Sequence, residues 1–89
     1  MGNAEFQYNC IKLVEDYLLE ENPNRGDFEI YVVWMCKALQ NNKALLSTDI
    51  VGDTRYYEIT YNGDKGEFYF DVYVKLINRR YDDEGHIHI

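Results

Sequence analysis

The stretch Asn62-Gly63-Asp64-Lys65-Gly66 stands between two runs that alternate in character, RYYEITY over 55–61 and EFYFDVYVKLIN over 67–78. Asn-Gly and Gly-Asp supply the positive φ angles that tight hairpins demand, and successive side chains of a strand point to opposite faces. The two flanks therefore read as antiparallel strands. With Tyr61 opposite Phe68, one face collects Tyr57, Ile59, Tyr61, Phe68, Phe70, Val72 and Val74. The other collects Tyr56, Glu58, Thr60, Tyr69, Asp71 and Tyr73. A slip of one residue would scatter these groups between core and solvent, so the register is well specified. A hairpin with one apolar face needs the rest of the chain to cover it.

The N-terminal segment can supply that cover. Phe6, Cys10, Val14, Tyr17 and Leu18 recur at spacings of three and four, the signature of a helix with one apolar stripe, and Asn3 is a suitable N-cap. Glu5, Glu15, Asp16, Glu20 and Glu21 fall off the stripe and read as a solvated face. Asn22-Pro23 ends the helix, because proline disfavours helical geometry in the residue before it and lacks an N–H. The segment 28–39, FEIYVVWMCKAL, is rich in β-branched and aromatic residues and reads as the first strand. A helix capped by Asp27 is its rival, since a short continuous apolar run does not reveal its period. Residues 44–51 form the second strand, followed by a turn at Gly52-Asp53-Thr54.

The expected fold is α+β, an N-terminal helix packed on a four-stranded antiparallel β-meander (αββββ) over 1–80. An acidic, histidine-containing tail over 81–89 is expected to be flexible. A chain of 89 residues has room for one such domain. The connection KALQNNKALLSTD, 37–49, leaves the first hairpin open. A two-residue turn at Asn41-Asn42 groups Val33, Met35 and Leu39 with Ala44, Leu46 and Ile50. A three-residue loop at 41–43 groups Trp34, Cys36 and Ala38 with Leu46, Thr48 and Ile50. Asparagine tolerates the left-handed conformation of primed turns, which favours the first. The choice decides whether Trp34 is core or surface.

The formal charge is −7, and it is concentrated at the ends. Residues 1–29 hold seven acids against Lys12 and Arg25, the tail adds Asp82, Asp83 and Glu84, and 30–80 hold six acids against seven bases. No basic cluster is present to neutralise phosphates, which argues against direct nucleic-acid binding. The longest apolar run, from Ile30 to Cys36, is far short of the ~20 residues of a membrane span, so no membrane association is expected. Cys10 and Cys36 lack metal or redox spacing and are expected to be reduced and buried.

Ser47 is the only serine, and His86 and His88 are the only histidines. A nucleophilic site would depend on the tail, whereas catalysis needs a preorganised constellation. No phosphate-binding glycine loop is present. The alternate histidines could meet one metal ion with the neighbouring acids, yet a charged terminal tail is more often simply solvated, so no metal or cofactor is assigned.

Two surfaces remain as candidates for interaction. One is the sheet face with Tyr56, Glu58, Tyr69, Asp71 and Tyr73, since tyrosine offers a large contact area and a polar tip. Glu58 lies directly across from Asp71 there, a repulsive pair that Arg55 and Lys75 are near enough to offset. The other is the loop Gln40, Asn41, Asn42 and Lys43.

The stretches YVVWMCKALQNNKALLSTD and RYYEITYNGDKGEFYFDVYVK, within 31–75, resemble a family of small uncharacterised proteins encoded by tailed phages and prophages of Gram-positive bacteria. The similarity falls on Tyr31 to Trp34, Lys37 to Thr48, Tyr56 to Lys65, and Tyr73 with Lys75. Ala38 stands where the family has threonine, and Gly66 lengthens the hairpin loop by one residue. The family has no established activity, so the resemblance implies a setting, the cytoplasm of an infected or lysogenic cell, rather than a mechanism.

The leading expectation is an accessory protein, not an enzyme, that binds a protein partner, another copy of itself included. The alternative is an acidic inhibitor whose carboxylates imitate nucleic acid and block a host or defence protein. An enzyme working through carboxylates is the third class.

Overall fold

The computed structural model describes residues 1–88, the side chain of His88 excepted. Its elements are α1 (Asn3–Glu21), β1 (Ile30–Ala38), β2 (Asn41–Thr48), β3 (Arg55–Asn62), β4 (Glu67–Val74), β5 (Arg80–Tyr81) and β6 (Ile87–His88). The first four strands make one antiparallel sheet in sequence order, and β5 pairs with β6 in a small second sheet. The αββββ architecture expected from the sequence is the one observed.

Helix α1 buries Phe6, Cys10, Val14 and Leu18, one residue per turn along a single line. That line lies over Ala44 and Leu46 of β2 and Tyr57 and Ile59 of β3, all fully buried. Each such aliphatic or aromatic side chain contributes about 1.5–3 kcal/mol on removal from water. Tyr17 extends the contact outward, its ring 5.2 Å from Phe70 and 6.0 Å from Tyr57, while Phe6 stacks with Phe68 at 6.4 Å. The N-cap is Gly2 rather than Asn3, which is already the first helical residue. At the other end the Asn22 amide donates to the Leu18 carbonyl before Pro23 turns the chain away.

The β3–β4 hairpin has the register read from its pattern, with Tyr61 opposite Phe68, Ile59 opposite Phe70 and Glu58 opposite Asp71. Asn62 organises the loop, its Oδ1 accepting from the amides of Asp64 and Lys65, and Gly66 takes φ +65°.

The β1–β2 hairpin differs from both placements expected. Its turn is Leu39-Gln40, with Ala38 opposite Asn41, so both asparagines belong to β2. Leu39, 92% exposed, carries the positive φ (+56°) that the turn needs. A second departure lies upstream. Val32 pairs with Leu46 and Trp34 with Leu45, which leaves Val33 as an extra residue, a β-bulge that shifts the phase of everything after it. Ile30, Val32 and Met35 therefore face the helix, and Tyr31, Trp34 and Cys36 face away. Trp34 is a surface residue, 42% exposed. Cys36, expected to be buried, is exposed, and Cys10 is buried.

Strand β2 alternates strictly, with Asn42, Ala44, Leu46 and Thr48 on the buried side. Asn42, read from the sequence as a loop amide, is thus 1% exposed, and neither atom of its amide has a hydrogen-bond partner among the described residues. Asn41 faces outward and its Oδ1 accepts from the Gly63 amide, joining the turn of the first hairpin to the loop of the second. A Cβ at Gly63 would run into the carbonyl oxygen of Gln40, so only glycine permits that approach.

Two outcomes follow from these placements. A buried amide without partners carries a desolvation cost of about 1–3 kcal/mol, so Asn42→Val should raise the urea midpoint at unchanged m-value; a lower midpoint would show that the amide is satisfied. Burial pushes the Cys10 thiol up to about 12, so a thiol reagent at pH 8 should modify Cys36 rapidly and Cys10 only on unfolding. The fast phase should vanish in Cys36→Ser.

Candidate functional site

The polar centre of the molecule lies where the end of α1 meets the β2–β3 turn. Asp53 follows the Gly52 turn, and its side chain is 4% exposed. Its Oδ1 accepts from the Arg55 amide (3.2 Å) and Nε (2.9 Å). Its Oδ2 accepts from the hydroxyls of Thr48 (3.0 Å) and Tyr57 (2.9 Å). The Arg55 guanidinium continues to Glu21 on the helix, with Nη1 and Nη2 donating to the two carboxylate oxygens at 2.8 and 3.0 Å. It also lies against the rings of Tyr17 and Tyr57, at 5.7 and 5.6 Å. Arg25 reaches Glu21 at 3.8 Å and donates from Nε to the Leu18 carbonyl at the helix end.

The electrostatics follow from these bonds. Burial pushes the Asp53 carboxyl up, but donors from Arg55, Tyr57 and Thr48 together outweigh it and hold it below the ordinary carboxylate range. The Arg55 bond lowers Glu21, and the bonds to Glu21 and Asp53 raise Arg55. Burial, and then the bond to Asp53, raises the Tyr57 phenol. Clefts of 380 and 210 Å³ flank this centre and share Asp53, Thr54 and Arg55 as walls. Asp53 and Arg55 spend their hydrogen-bonding capacity on neighbours in the chain, so the cluster acts as a staple between helix and sheet. The cluster was not anticipated from the sequence, where Glu21 reads as a surface acid, Asp53 as a turn residue and Arg55 as a neighbour of Glu58 and Asp71.

The sheet face away from the helix brings most of the sequence-derived candidates together. Trp34, Leu45, Glu58 and Asp71 form one cross-strand row, and Cys36, Lys43, Thr60 and Tyr69 a second. Tyr31 pairs with Ser47 and Tyr56 with Tyr73, and Tyr31, Ser47 and Tyr56 border the smaller cleft together with Lys75. Tyr31, Trp34, Tyr69 and Tyr73 are 42–50% exposed. Trp34 thus joins the face of Tyr56 and Tyr73 rather than defining a separate surface. The cation beside Glu58 is Lys43, at 3.2 Å, not Arg55 or Lys75. Arg55 is committed to the staple, and Lys43 was read as a loop residue because the turn was misplaced. The Tyr69 hydroxyl donates to Glu67 at 2.6 Å. Of the expected loop contacts, Gln40 and Asn41 are exposed, Lys43 is on the open face and Asn42 is buried.

At the C-terminal end, Asp82 accepts from the amides of Glu84 and His86, and the His86 ring lies 3.4 Å from its carboxylate. The two-histidine metal arrangement, weighed but not assigned from the sequence, falls partly on His88, whose side chain lies outside the described residues. No group of three or more His, Cys, Asp or Glu suited to a metal ion occurs among the described residues.

The staple has a pH signature. A carboxyl whose folded pKa is depressed contributes stability that is fully present above its unfolded pKa of about 3.9 and is lost as pH falls through the folded value. Asp53→Asn should therefore cost about 1.5–3 kcal/mol near pH 7. The two unfolding curves should converge on acidification below pH ~4. A difference that persists at low pH would remove the charge from the explanation.

No curated protein and no solved structure matches the chain. A family model described as "Family of unknown function (DUF6275)" matches residues 7–83, taking in most of the helix and the start of the C-terminal hairpin as well as the stretch within 31–75. The chain therefore belongs to this family of unknown function.

Proposed function

We propose that the protein acts by binding another protein through the open face of its sheet, as an accessory factor of phage or prophage origin working in the cytoplasm of its host. The observation that carries this reading is the set of half-exposed aromatics, Tyr31, Trp34, Tyr69 and Tyr73, on a sheet whose opposite face alone is covered by the helix. Aromatic side chains bring large contact area at low entropic cost and dominate binding hot spots. Lys43, Glu58, Thr60 and Asp71 interleave polar groups that give such a face orientation and specificity.

Binding rather than catalysis is also supported by the polar cluster, whose acid and base are bonded to each other. The alternative of nucleic-acid mimicry has less support, because two of the helix carboxylates are already paired, Asp16 with Lys12 at 2.9 Å and Glu21 with Arg55.

Tyr73→Arg and Trp34→Ala are the informative variants, since both side chains are exposed and outside the core. Pull-down from a host-cell lysate with the full chain should recover a partner with wild type. Each variant should reduce recovery about tenfold or more, the scale of a hot-spot truncation. Equal recovery with all three proteins would place the contact elsewhere, and binding that collapses only with added salt would favour the acidic surfaces.

A further inference from the structure

We infer that two copies of this chain join along the free edge of β4, the two strands running antiparallel about a two-fold axis that stands perpendicular to the sheet at Tyr73. The inference concerns the rim of the sheet and is independent of the reading of its open face. Strands β1 and β4 are the edges. A bulge interrupts β1, whereas β4 pairs with β3 along its whole length without one. An uninterrupted edge presents a row of unpaired backbone N–H and C=O groups on which another strand can form. The short strands β5 and β6 bond to each other and leave that row open.

The sequence along the edge selects the partner. Directly opposed residues of an antiparallel pair share a face, so a strand that pairs with its own copy sets residues equally distant from the axis opposite each other. With the axis at Tyr73, Glu67 meets the other copy's Arg79 and Asp71 meets its Lys75, on either side of a tyrosine pair. None of these four charges has an ion-pair partner among the described residues. No other axis from Tyr69 to Lys75 sets both acids opposite bases. An axis at Tyr69 or Asp71 opposes acid to acid, one at Lys75 opposes lysine to lysine, and those between leave both acids without a base.

The helix-side face agrees with the same register. There Phe70 meets the other copy's Leu76, and Val72 meets its Val74. Phe70 and Val72 sit half-buried at the margin of the core, while Val74 and Leu76 are 69% and 97% exposed. Pairing closes them into one apolar seam between the two helices, which a perpendicular axis leaves on the same side of a joined sheet. Residues 75–79 have no strand partner within the chain and gain one in the other copy's β4. Pairing from Glu67 to Arg79 makes about a dozen backbone hydrogen bonds, close to the roughly ten of a typical interface.

The test uses the full chain, with light scattering over a dilution series and hydrogen exchange of the backbone amides. Wild type should form a dimer and nothing larger, and the amides of 75–79 should exchange more slowly as the dimer fills. Asp71→Lys and Lys75→Asp should each weaken the dimer about tenfold or more, because each sets like charges together twice. Asp71→Lys also ends the opposition to Glu58 within the chain, so its folding is not at risk. An equal mixture of the two variants should regain the wild-type affinity within a few fold, since every reversed charge then meets its opposite. Trp34→Ala, on the far strand, should dimerise like wild type. A monomeric wild type, assembly beyond the dimer, unprotected 75–79 amides, or a mixture no stronger than its components overturns the inference. So does a dimer lost in Trp34→Ala and kept in both charge variants, which would assign self-association to the open face.

Discussion

The Arg55 guanidinium holds the two layers of this protein together at the point where neither layer has much apolar material left. The helix stripe ends at Leu18 and the buried residues of β3 begin at Tyr57, so the last turn of α1 and the β2–β3 connection meet through polar groups. Arg55 bonds the helix through Glu21 and the turn through Asp53, and its flat faces lie against Tyr17 and Tyr57. An acid at the C-terminal end of a helix opposes the helix dipole. Here that acid is the attachment point, and Arg25 offsets the dipole by donating to the Leu18 carbonyl. The arrangement explains how a thin molecule, 46 × 38 × 18 Å, keeps its helix over the two central strands.

Much of the fold was legible because two signals were local and redundant. The spacing of Phe6, Cys10, Val14 and Leu18 defined the helix face, and Tyr57 through Val72 fixed the second hairpin's register by alternation alone. The first hairpin was not legible, because a bulge leaves no mark in a run as uniformly apolar as YVVWMC. The bulge puts Val32 rather than Val33 on the helix face, and the chain reverses at Leu39-Gln40 rather than at the asparagines, so Cys36 and Asn42 were placed wrongly and the face of Trp34 was left open, while Tyr61 and Phe68 were placed correctly. The polar staple was invisible for another reason. Glu21 is 34 residues from Arg55, and nothing in the local context of Glu21, Asp53 or Arg55 distinguishes them from solvated charges.

The two asparagines of β2 illustrate how neighbours in sequence acquire opposite roles. Asn41 points outward and holds the adjacent loop through Gly63; Asn42 points inward and brings an unpaired amide into an otherwise apolar layer. The period of two along the strand assigns both fates. The open sheet face owes its composition to the same period, since each strand that gives an apolar residue to the helix gives an aromatic or charged residue to the other side.

The bulge at Val33 has a further effect at the rim of the sheet. Strand β1 is an edge, with a row of backbone N–H and C=O groups facing outward, and a continuous edge of that kind is a template on which other chains can add strands without limit. An extra residue in mid-strand breaks the repeat of that row and increases the local twist. Sideways growth of the sheet is thereby discouraged at β1, while β4, the other edge, is paired with β3 without a bulge.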